Sequence, residues 1–171
     1  MTIAYVGIGS NLDPEVHVPA GVEALRTEFS GVVCSPVYRT EPVGFEGPPF
    51  LNLVARLETE RSLEGVLERL RAVEARFGRE RPEPGEGPKE KSFSSRTLDL
   101  DLLLYGDRVT REPVELPRRD VAEYPFVAKP LADLDAQGRI PGEERTFGAL
   151  WASFPAEAEA GMRRVELDLP C

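Results

Sequence analysis

Apolar runs and alternating apolar and polar positions predict four β-strands in the first two thirds of the chain. Residues 3–8, IAYVGI, form a short apolar run that ends in Gly-Ser-Asn, which is typical of a buried strand leaving through a tight turn. Residues 32–38 are rich in β-branched side chains. Residues 50–59 alternate, with Leu51, Leu53, Ala55 and Leu57 on one face and Asn52, Arg56 and Glu58 on the other. The fourth predicted strand, LDLDLLLY at residues 98–105, carries two aspartates.

Two stretches with helical spacing of apolar residues separate these strands. The first helix is expected to become regular near Pro19, and its buried stripe consists of Val18, Val22, Leu25 and Phe29. The second is capped by Ser62 and closed by Gly78. Glu74, in its last turn, is expected to point away from the apolar stripe, either toward a ligand or into solvent.

The order strand, helix, strand, strand, helix, strand predicts an α+β fold, a ferredoxin-like βαββαβ sandwich. Weaker patterns add C-terminal elements: short helices near residues 127–134 and 147–154, and an edge strand at residues 165–169. A length of 171 residues without an internal linker predicts a single domain, residues 1–171.

Composition narrows the possible partners and compartments. The net charge of -9 argues against nucleic-acid binding, because such binding needs many cations against phosphates. There is no apolar run near 18 residues and no signal-like N-terminus, so we expect no membrane contact and a cytoplasmic location. The two cysteines, Cys34 and Cys171, form no C-x-x-C pair, so neither a disulfide nor a zinc site is expected.

The candidate chemistry centres on Asp99 and Asp101. Strand side chains alternate between faces, so these two carboxylates share one face and lie roughly 6 to 7 Å apart along the strand. Oxygen ligands at this spacing suit Mg²⁺. The alternative is a half-buried strand with its aspartates in water. Glu166 and Asp168 copy the spacing, but only the first pair follows a basic segment.

That basic segment, residues 79–95, is rich in proline, glycine and charge, and it is interpreted as a lid over the aspartates. On the third strand, Phe50 and Asn52 share a face and offer a ring for stacking beside an amide that both donates and accepts hydrogen bonds. The alternative for these two residues is a solvated strand edge beside an exposed ring.

The motifs AYVGIGSNL, YRTEPVG, FLN, E-x-x-x-G-R and RTLDLDLLLYG occur in this order between Tyr5 and Leu131. In this the chain resembles the 6-hydroxymethyl-7,8-dihydropterin pyrophosphokinases of folate biosynthesis. The resemblance implies a ferredoxin-like fold and transfer of the β,γ-pyrophosphoryl group of ATP to the pterin hydroxymethyl oxygen. It also implies release of AMP and the use of two Mg²⁺ ions.

The resemblance assigns roles by position in this sequence. Asp99 and Asp101 match the Mg²⁺ ligands. The pterin pocket is matched by Thr40, Val43, Phe50, Asn52 and Phe126. The ATP contacts are matched by Arg71, Glu74, Arg81, Phe93, Arg96 and Leu102. Arg79 and Arg96 match lid cations that assist the chemical step.

The chain departs from the family pattern at several of these positions. Arg118 and Arg119 follow Pro117 where the family commonly has a histidine, and both are expected to contact ATP. Tyr124 replaces an arginine, and Phe93 replaces a tryptophan. A monomer is expected. Two other functions stay open from the residues alone, a nucleotide pyrophosphatase that uses water as acceptor and a ligand-binding module without catalysis.

Overall fold

The computed structural model describes residues 1–78 and 97–171. Within them, the strands are β1 (Thr2–Ser10), β2 (Ser30–Cys34), β3 (Val37–Thr40), β4 (Phe50–Thr59), β5 (Asp99–Tyr105) and β6 (Met162–Val165). The helices are α1 (Pro14–Glu28), α2 (Leu63–Arg76), α3 (Asp120–Glu123), α4 (Pro125–Leu134), α5 (Phe147–Ala152) and α6 (Glu157–Ala160).

The strands form one antiparallel sheet in the order β5-β1-β4-β3-β6, with β2 also pairing with β4. If β2 and β3 are taken as one interrupted strand, β1 to β5 and their two long helices follow the βαββαβ order. The predicted ferredoxin-like α+β fold is therefore confirmed.

The two faces of the sheet bury different cores. One face packs against α1 and α2 through the apolar positions of β1, β4 and β5, such as Ile8, Leu53 and Leu100. The opposite face packs against α4 and α5, with Tyr5 and Val54 among its buried residues. In the described part of the chain no helix is both long and apolar enough to cross a membrane.

Two predicted elements differ from the structure in their boundaries. Helix α1 begins at Pro14, whose fixed φ suits a first helical turn, and Pro19 lies inside the helix. The second predicted strand is broken at Ser35 and Pro36, where proline has no N–H to donate. There the Ser35 hydroxyl accepts a hydrogen bond from the backbone N–H of Val54 at 2.9 Å.

The predicted C-terminal strand was also misplaced. Strand β6 ends at Val165, opposite Val37, the first residue of β3. Residues 166–169 therefore extend past the start of β3 and are not in a strand. They are nevertheless held against the molecule, because Leu167 and Leu169 pack on the core beneath α1 and α2.

The expectation that the cysteines form no disulfide was wrong. Cys34, the last residue of β2, is bonded to Cys171, with their Cα atoms 6.1 Å apart. The two residues are separated by 137 positions in the sequence. Spacing rules detect cysteines that are close in sequence, so they contain no signal for a pair joined by the fold.

Candidate active site

A row of paired residues crosses the sheet on the face that carries α4. Gly9 of β1 pairs with Asn52 of β4 on one side and with Asp99 of β5 on the other. Directly paired residues of antiparallel strands project to the same face, so the amide and the carboxylate flank Gly9. Two strand spacings place their Cα atoms roughly 10 Å apart. Gly7 continues this side-chain-free strip beside Asp101.

Asp99 and Asp101 are both partly exposed, and the buried Leu100 between them points to the opposite face. The predicted common face is thus confirmed. In the part of the chain that the structure describes, no group of three or more His, Cys, Asp or Glu residues is placed to hold a metal ion. Two carboxylates fit Mg²⁺ in particular, because this ion usually takes one or two carboxylates and completes its shell with phosphate oxygens and water.

A cleft opens beside β5, the terminal strand of the sheet, between α2 and the segment that contains Val114 and Arg118. Its apolar lining is formed by Leu67, Leu70, Leu100, Leu102 and Val114. Its polar lining is formed by Arg71, Glu74, Asp101 and Arg118. An apolar wall next to two cations suits a base and phosphates of one ligand. The structure thus brings Arg71, Glu74, Leu102 and Arg118 together with Asp101, as the ATP-binding prediction requires.

Glu74 corrects one part of the sequence prediction. It does not point away from the apolar stripe but is 1% exposed, and its Oε2 accepts a hydrogen bond from the backbone N–H of Leu100 at 3.1 Å. A buried carboxylate needs such donors, and here the donor lies between the two aspartates of β5. Glu74 therefore joins α2 to the strand that presents the carboxylate pair.

Arg118 lies between two carboxylates. Its Nη2 is 3.5 Å from Oδ1 of Asp101, and its Nε donates to Oδ2 of Asp120 at 3.1 Å. Burial lowers the pKa of the Arg118 guanidinium, but the charges of Asp101 and Asp120 outweigh this effect and raise the pKa overall. Arg118 is therefore a permanent cation at the mouth of the cleft.

Arg119 is arranged differently from Arg118. Its guanidinium is exposed and lies 3.5 Å from Glu115 and 3.8 Å from Glu123. It is also absent from the lining of the cleft. Of the two arginines expected at ATP, the geometry brings only Arg118 to the carboxylate pair.

The residues expected at the pterin lie on the other side of Gly9. The Asn52 amide donates to the Thr40 hydroxyl at 2.8 Å, and both side chains are buried. Phe50 packs edge-on against Phe45, with ring centroids 6.2 Å apart. Val43, in the loop between β3 and β4, is exposed. Thr40 and Asn52 thus form a fixed polar pair, with Phe50 at the loop side.

Phe126 lies near the start of α4, and one face of its ring is covered by Tyr124. From the sequence, Tyr124 is notable only as the residue that replaces an arginine of the family. Tyr124 stacks on Phe126 with centroids 5.0 Å apart and an interplanar angle of 15°. Burial, followed by the charges of Asp120 and Glu123, raises the pKa of the Tyr124 phenol. The second face of Phe126 is the one that a planar ligand would use.

Two further residues shape the site and were missed from sequence. A Cβ at Gly9 would lie 2.9 Å from Oδ1 of Asn52, so only glycine leaves the amide in place. Asn11 Nδ2 donates to the carbonyl of Pro48 at 3.2 Å and so anchors the loop before Phe50. The G-S-N turn signal was visible, but its contact with Pro48 spans 37 residues and is decided by the fold.

Four predicted site residues lie outside the described residues, namely Arg79, Arg81, Phe93 and Arg96. The predicted lid, residues 79–95, lies outside them as well. Their roles stay predictions.

Comparisons with known proteins identify the family of the chain. The model of the family described as 7,8-dihydro-6-hydroxymethylpterin-pyrophosphokinase (HPPK) matches residues 5–136. The chain is 36% identical over 162 residues to the 2-amino-4-hydroxy-6-hydroxymethyldihydropteridine pyrophosphokinase of Pseudomonas aeruginosa, covering 90% of this chain and 92% of that protein. The protein of the same name from Methylorubrum extorquens is 35% identical, covering 97% of this chain and 100% of its relative.

Among solved structures, the chain is similar to wild-type Plasmodium falciparum HPPK-DHPS crystallised with pteroate, with a TM-score of 0.72 at 10% identity. The match covers 96% of this chain and 46% of the Plasmodium chain, so this protein spans about half of that longer one. At this identity the likeness concerns the fold alone. The family match and the bacterial relatives go further: this chain belongs to the 7,8-dihydro-6-hydroxymethylpterin-pyrophosphokinase family.

Proposed function

We propose that this protein transfers the β,γ-pyrophosphoryl group of ATP to the hydroxymethyl oxygen of 6-hydroxymethyl-7,8-dihydropterin, releasing AMP, as a step of folate biosynthesis. The observation that carries the proposal is the row Asn52, Gly9, Asp99, which sets the ring-binding residues and the carboxylate pair on one face. The separation of roughly 10 Å leaves room for the hydroxymethyl group and the phosphates between them.

The pterin is proposed to bind between Phe50 and Phe126, with Thr40 and Asn52 hydrogen bonding to its edge and Val43 closing the loop side. Offset stacking between two rings holds a planar ligand in one plane. The buried Asn52–Thr40 pair is already joined at 2.8 Å, so the amide needs little reorganisation to receive the ligand. This geometry fixes the acceptor hydroxymethyl group relative to β1 and β5.

ATP is proposed to occupy the cleft beside β5, with its base on the apolar wall that includes Leu102 and its phosphates toward Arg71 and Arg118. Glu74 holds the strand in place through Leu100. The proposed ATP contacts also include Arg81, Phe93, Arg96 and Arg119. The proposed catalytic cations are Arg79 and Arg96. The bond that breaks joins the α- and β-phosphorus atoms, and cations near the phosphates stabilise the charge that develops there.

Asp99 and Asp101 are the proposed ligands of Mg²⁺, with two ions expected. Bound Mg²⁺ would neutralise phosphate charge and orient the transferred group. The contribution of the chain is to present two carboxylates from one rigid strand, beside the cleft and in register with Gly9. Transfer therefore depends on positioning and charge neutralisation, and it requires no covalent intermediate with the protein.

A cytoplasmic location and a monomeric state are also proposed. No helix of the described residues is fit to cross a membrane. The disulfide between Cys34 and Cys171 opposes the proposed compartment, because the cytoplasm of most cells keeps thiols reduced. Mass analysis of the protein under native redox conditions in cells shows whether the disulfide is formed there, and so tests the disulfide and the proposed compartment together.

The direct test supplies ATP, Mg²⁺ and hydroxymethyl-dihydropterin and measures nucleotides and pterin diphosphate together. We expect AMP and pterin diphosphate in equal amounts. Release of ADP would exclude pyrophosphoryl transfer. AMP formed equally well without pterin would instead identify a pyrophosphatase that uses water.

Removing one carboxylate tests the proposed metal site. Asp101→Asn should lower the turnover number by about three orders of magnitude or more, because it removes a proposed metal ligand. The melting temperature should change little, because the side chain is partly exposed and asparagine has nearly the same shape as aspartate. Asp168→Asn is the matched control, since Glu166 and Asp168 repeat the spacing on the C-terminal segment. Near-normal turnover of Asp101→Asn would exclude the ligand role.

A further inference from the structure

The Arg118 guanidinium lies close enough to Asp101 to repel a metal ion bound to the same carboxylate. It approaches Asp101 to 3.5 Å while its Nε side is held by Asp120 at 3.1 Å. Both Arg118 and Asp101 are partly buried, with side-chain exposures of 31% and 20%. Contacts with two different carboxylates fix the direction of the guanidinium, with Nε toward Asp120 and Nη2 toward Asp101.

Arg118 also lines the cleft in which nucleotide is proposed to bind, as Asp101 does. The same guanidinium thus has two alternative anionic partners within reach, the Asp101 carboxylate and the incoming phosphates. Arginine stays charged under all working conditions, unlike the histidine that the family resemblance leads one to expect at this position. Asp120 holds the Nε side of this cation in either case, so the choice between Asp101 and a phosphate concerns the Nη2 side.

We propose that Arg118 is an exchange cation: it neutralises Asp101 in the nucleotide-free protein and transfers to the phosphates when nucleotide enters the cleft. This inference rests on the proposed function and adds an order of events to it. Without nucleotide, Arg118 competes with a divalent cation for Asp101. With nucleotide, the guanidinium shifts toward the phosphates and opposes metal binding at Asp101 less, so nucleotide and metal bind cooperatively.

The proposal makes Arg118 act with opposite sign on two separate binding reactions. In the absence of nucleotide it should weaken binding of a divalent cation, because two cations close to one carboxylate repel each other. In the absence of metal it should strengthen binding of nucleotide, because it pairs with phosphate. A merely structural role would weaken both reactions when Arg118 is replaced.

The test uses the full chain and two titrations, neither of which requires turnover. Mn²⁺ is titrated into nucleotide-free protein and unbound Mn²⁺ is measured by electron paramagnetic resonance. The α,β-methylene analogue of ATP, whose α–β linkage cannot be cleaved by transfer, is titrated calorimetrically in the presence of EDTA. Arg118→Gln should bind Mn²⁺ roughly three- to tenfold more tightly than wild type and the analogue roughly tenfold more weakly.

Three further variants isolate the charge. Arg118→His at pH 8, which also removes the cation, should behave like Arg118→Gln and serves if the glutamine variant does not fold. Arg118→Lys keeps the charge and should keep the weak Mn²⁺ binding. Arg26→Gln removes an equal charge from the exposed pair with Glu23 on α1 and should change neither titration.

Unchanged or weaker Mn²⁺ binding in the variants that lack the cation would overturn the exchange proposal. So would a lysine variant that matches the glutamine variant in both titrations. Failure of the proposed function would appear elsewhere, as the absence of AMP and pterin diphosphate from the wild-type reaction. The two failures are therefore distinguishable, because the titrations report on binding and the product assay on transfer.

Discussion

At the scale of single residues, Gly9 lies between the two halves of the site. It pairs with Asn52 and Asp99 at once, and its missing side chain leaves the Asn52 amide in position. Gly7 and Gly9 both lie within β1, in the half that pairs with β4 and β5. Their function follows from the strands that flank them.

Gly9→Ala should therefore weaken pterin binding selectively. The added Cβ would lie 2.9 Å from Oδ1 of Asn52 and 3.8 Å from Cδ1 of Phe50, so the amide must shift. A displaced hydrogen bond costs about 1.4 kcal/mol, which corresponds to a roughly tenfold higher Kd for pterin. Calorimetric titration with pterin measures the change, and binding of the ATP analogue should stay as in wild type.

Gly7→Ala is the matched control for this change. Its Cβ would lie 3.5 Å from a terminal carbon of Leu103, which is ordinary van der Waals contact. Both variants place alanine on the same strand and face, so a common strand effect would appear in both. Equal pterin affinity in the two variants would contradict the role given to Gly9.

At the scale of elements, the position of α4 decides where Phe126 lies. Helix α4 packs against β4 and β3, and the Tyr38 hydroxyl of β3 donates to Asp133 near the end of α4. Lys129 binds the same carboxylate at 2.7 Å. This group of polar contacts fastens the helix whose first turn carries Phe126 to the strand that carries Thr40.

Tyr38→Phe should lower the free energy of unfolding by about 2 kcal/mol at neutral pH, since it removes a hydrogen bond to a carboxylate. Burial, followed by the Asp133 carboxylate, raises the pKa of the Tyr38 phenol above its ordinary value of 10.0. The stability linked to this shift is fully present below pH 10 and is lost as the pH rises through the raised pKa. The difference between wild type and Tyr38→Phe should therefore shrink above pH 10.

Urea unfolding between pH 7 and pH 11 measures this difference. Tyr105→Phe is the control, because its exposed hydroxyl donates to the carbonyl of Arg61 at 2.7 Å without a carboxylate partner. It should cost less at pH 7 than Tyr38→Phe. A gap between wild type and Tyr38→Phe that widens above pH 10 would show that the phenol is not the group responsible.

At the scale of the whole molecule, the C-terminal segment is fixed twice. Strand β6 pairs with β3, and after it Leu167 and Leu169 pack on the main core before Cys171 reaches Cys34. The bond closes a loop across 137 sequence positions, so it restricts the unfolded chain strongly. Strand β6 is the neighbour of β3, the strand that carries Thr40.

Cys171→Ser should lower the melting temperature of the oxidised protein by roughly 10–20 °C, from a loop-closure contribution of about 5 kcal/mol. Calorimetry of both proteins with and without a thiol reductant gives the comparison. Wild type should fall to the value of the variant when reduced, and the variant should not respond. A wild-type melting temperature insensitive to reductant would show that the disulfide is not formed in the purified protein.

Local patterns determined much of this protein by themselves. The period-two alternation of residues 50–59 fixed which β4 side chains share a face, and the D-L-D spacing did the same for Asp99 and Asp101. The helical stripe of α2 and its Ser62 cap were equally readable, and Ser62 does accept from the Gly65 N–H at 3.1 Å. These features depend on backbone geometry within a few residues, so the sequence contains them directly.

Only the tertiary structure decided what those side chains meet. Four contacts join segments that are distant in the sequence. They are the hydrogen bond from Leu100 to the buried Glu74, the approach of Arg118 to Asp101, the close packing of Gly9 against Asn52, and the bond between Cys34 and Cys171. Strand register and helix packing set these contacts, and both are fixed by the whole core rather than by neighbours in sequence. The sequence therefore determined which groups face the site, while the fold decided which of them are close enough to act together.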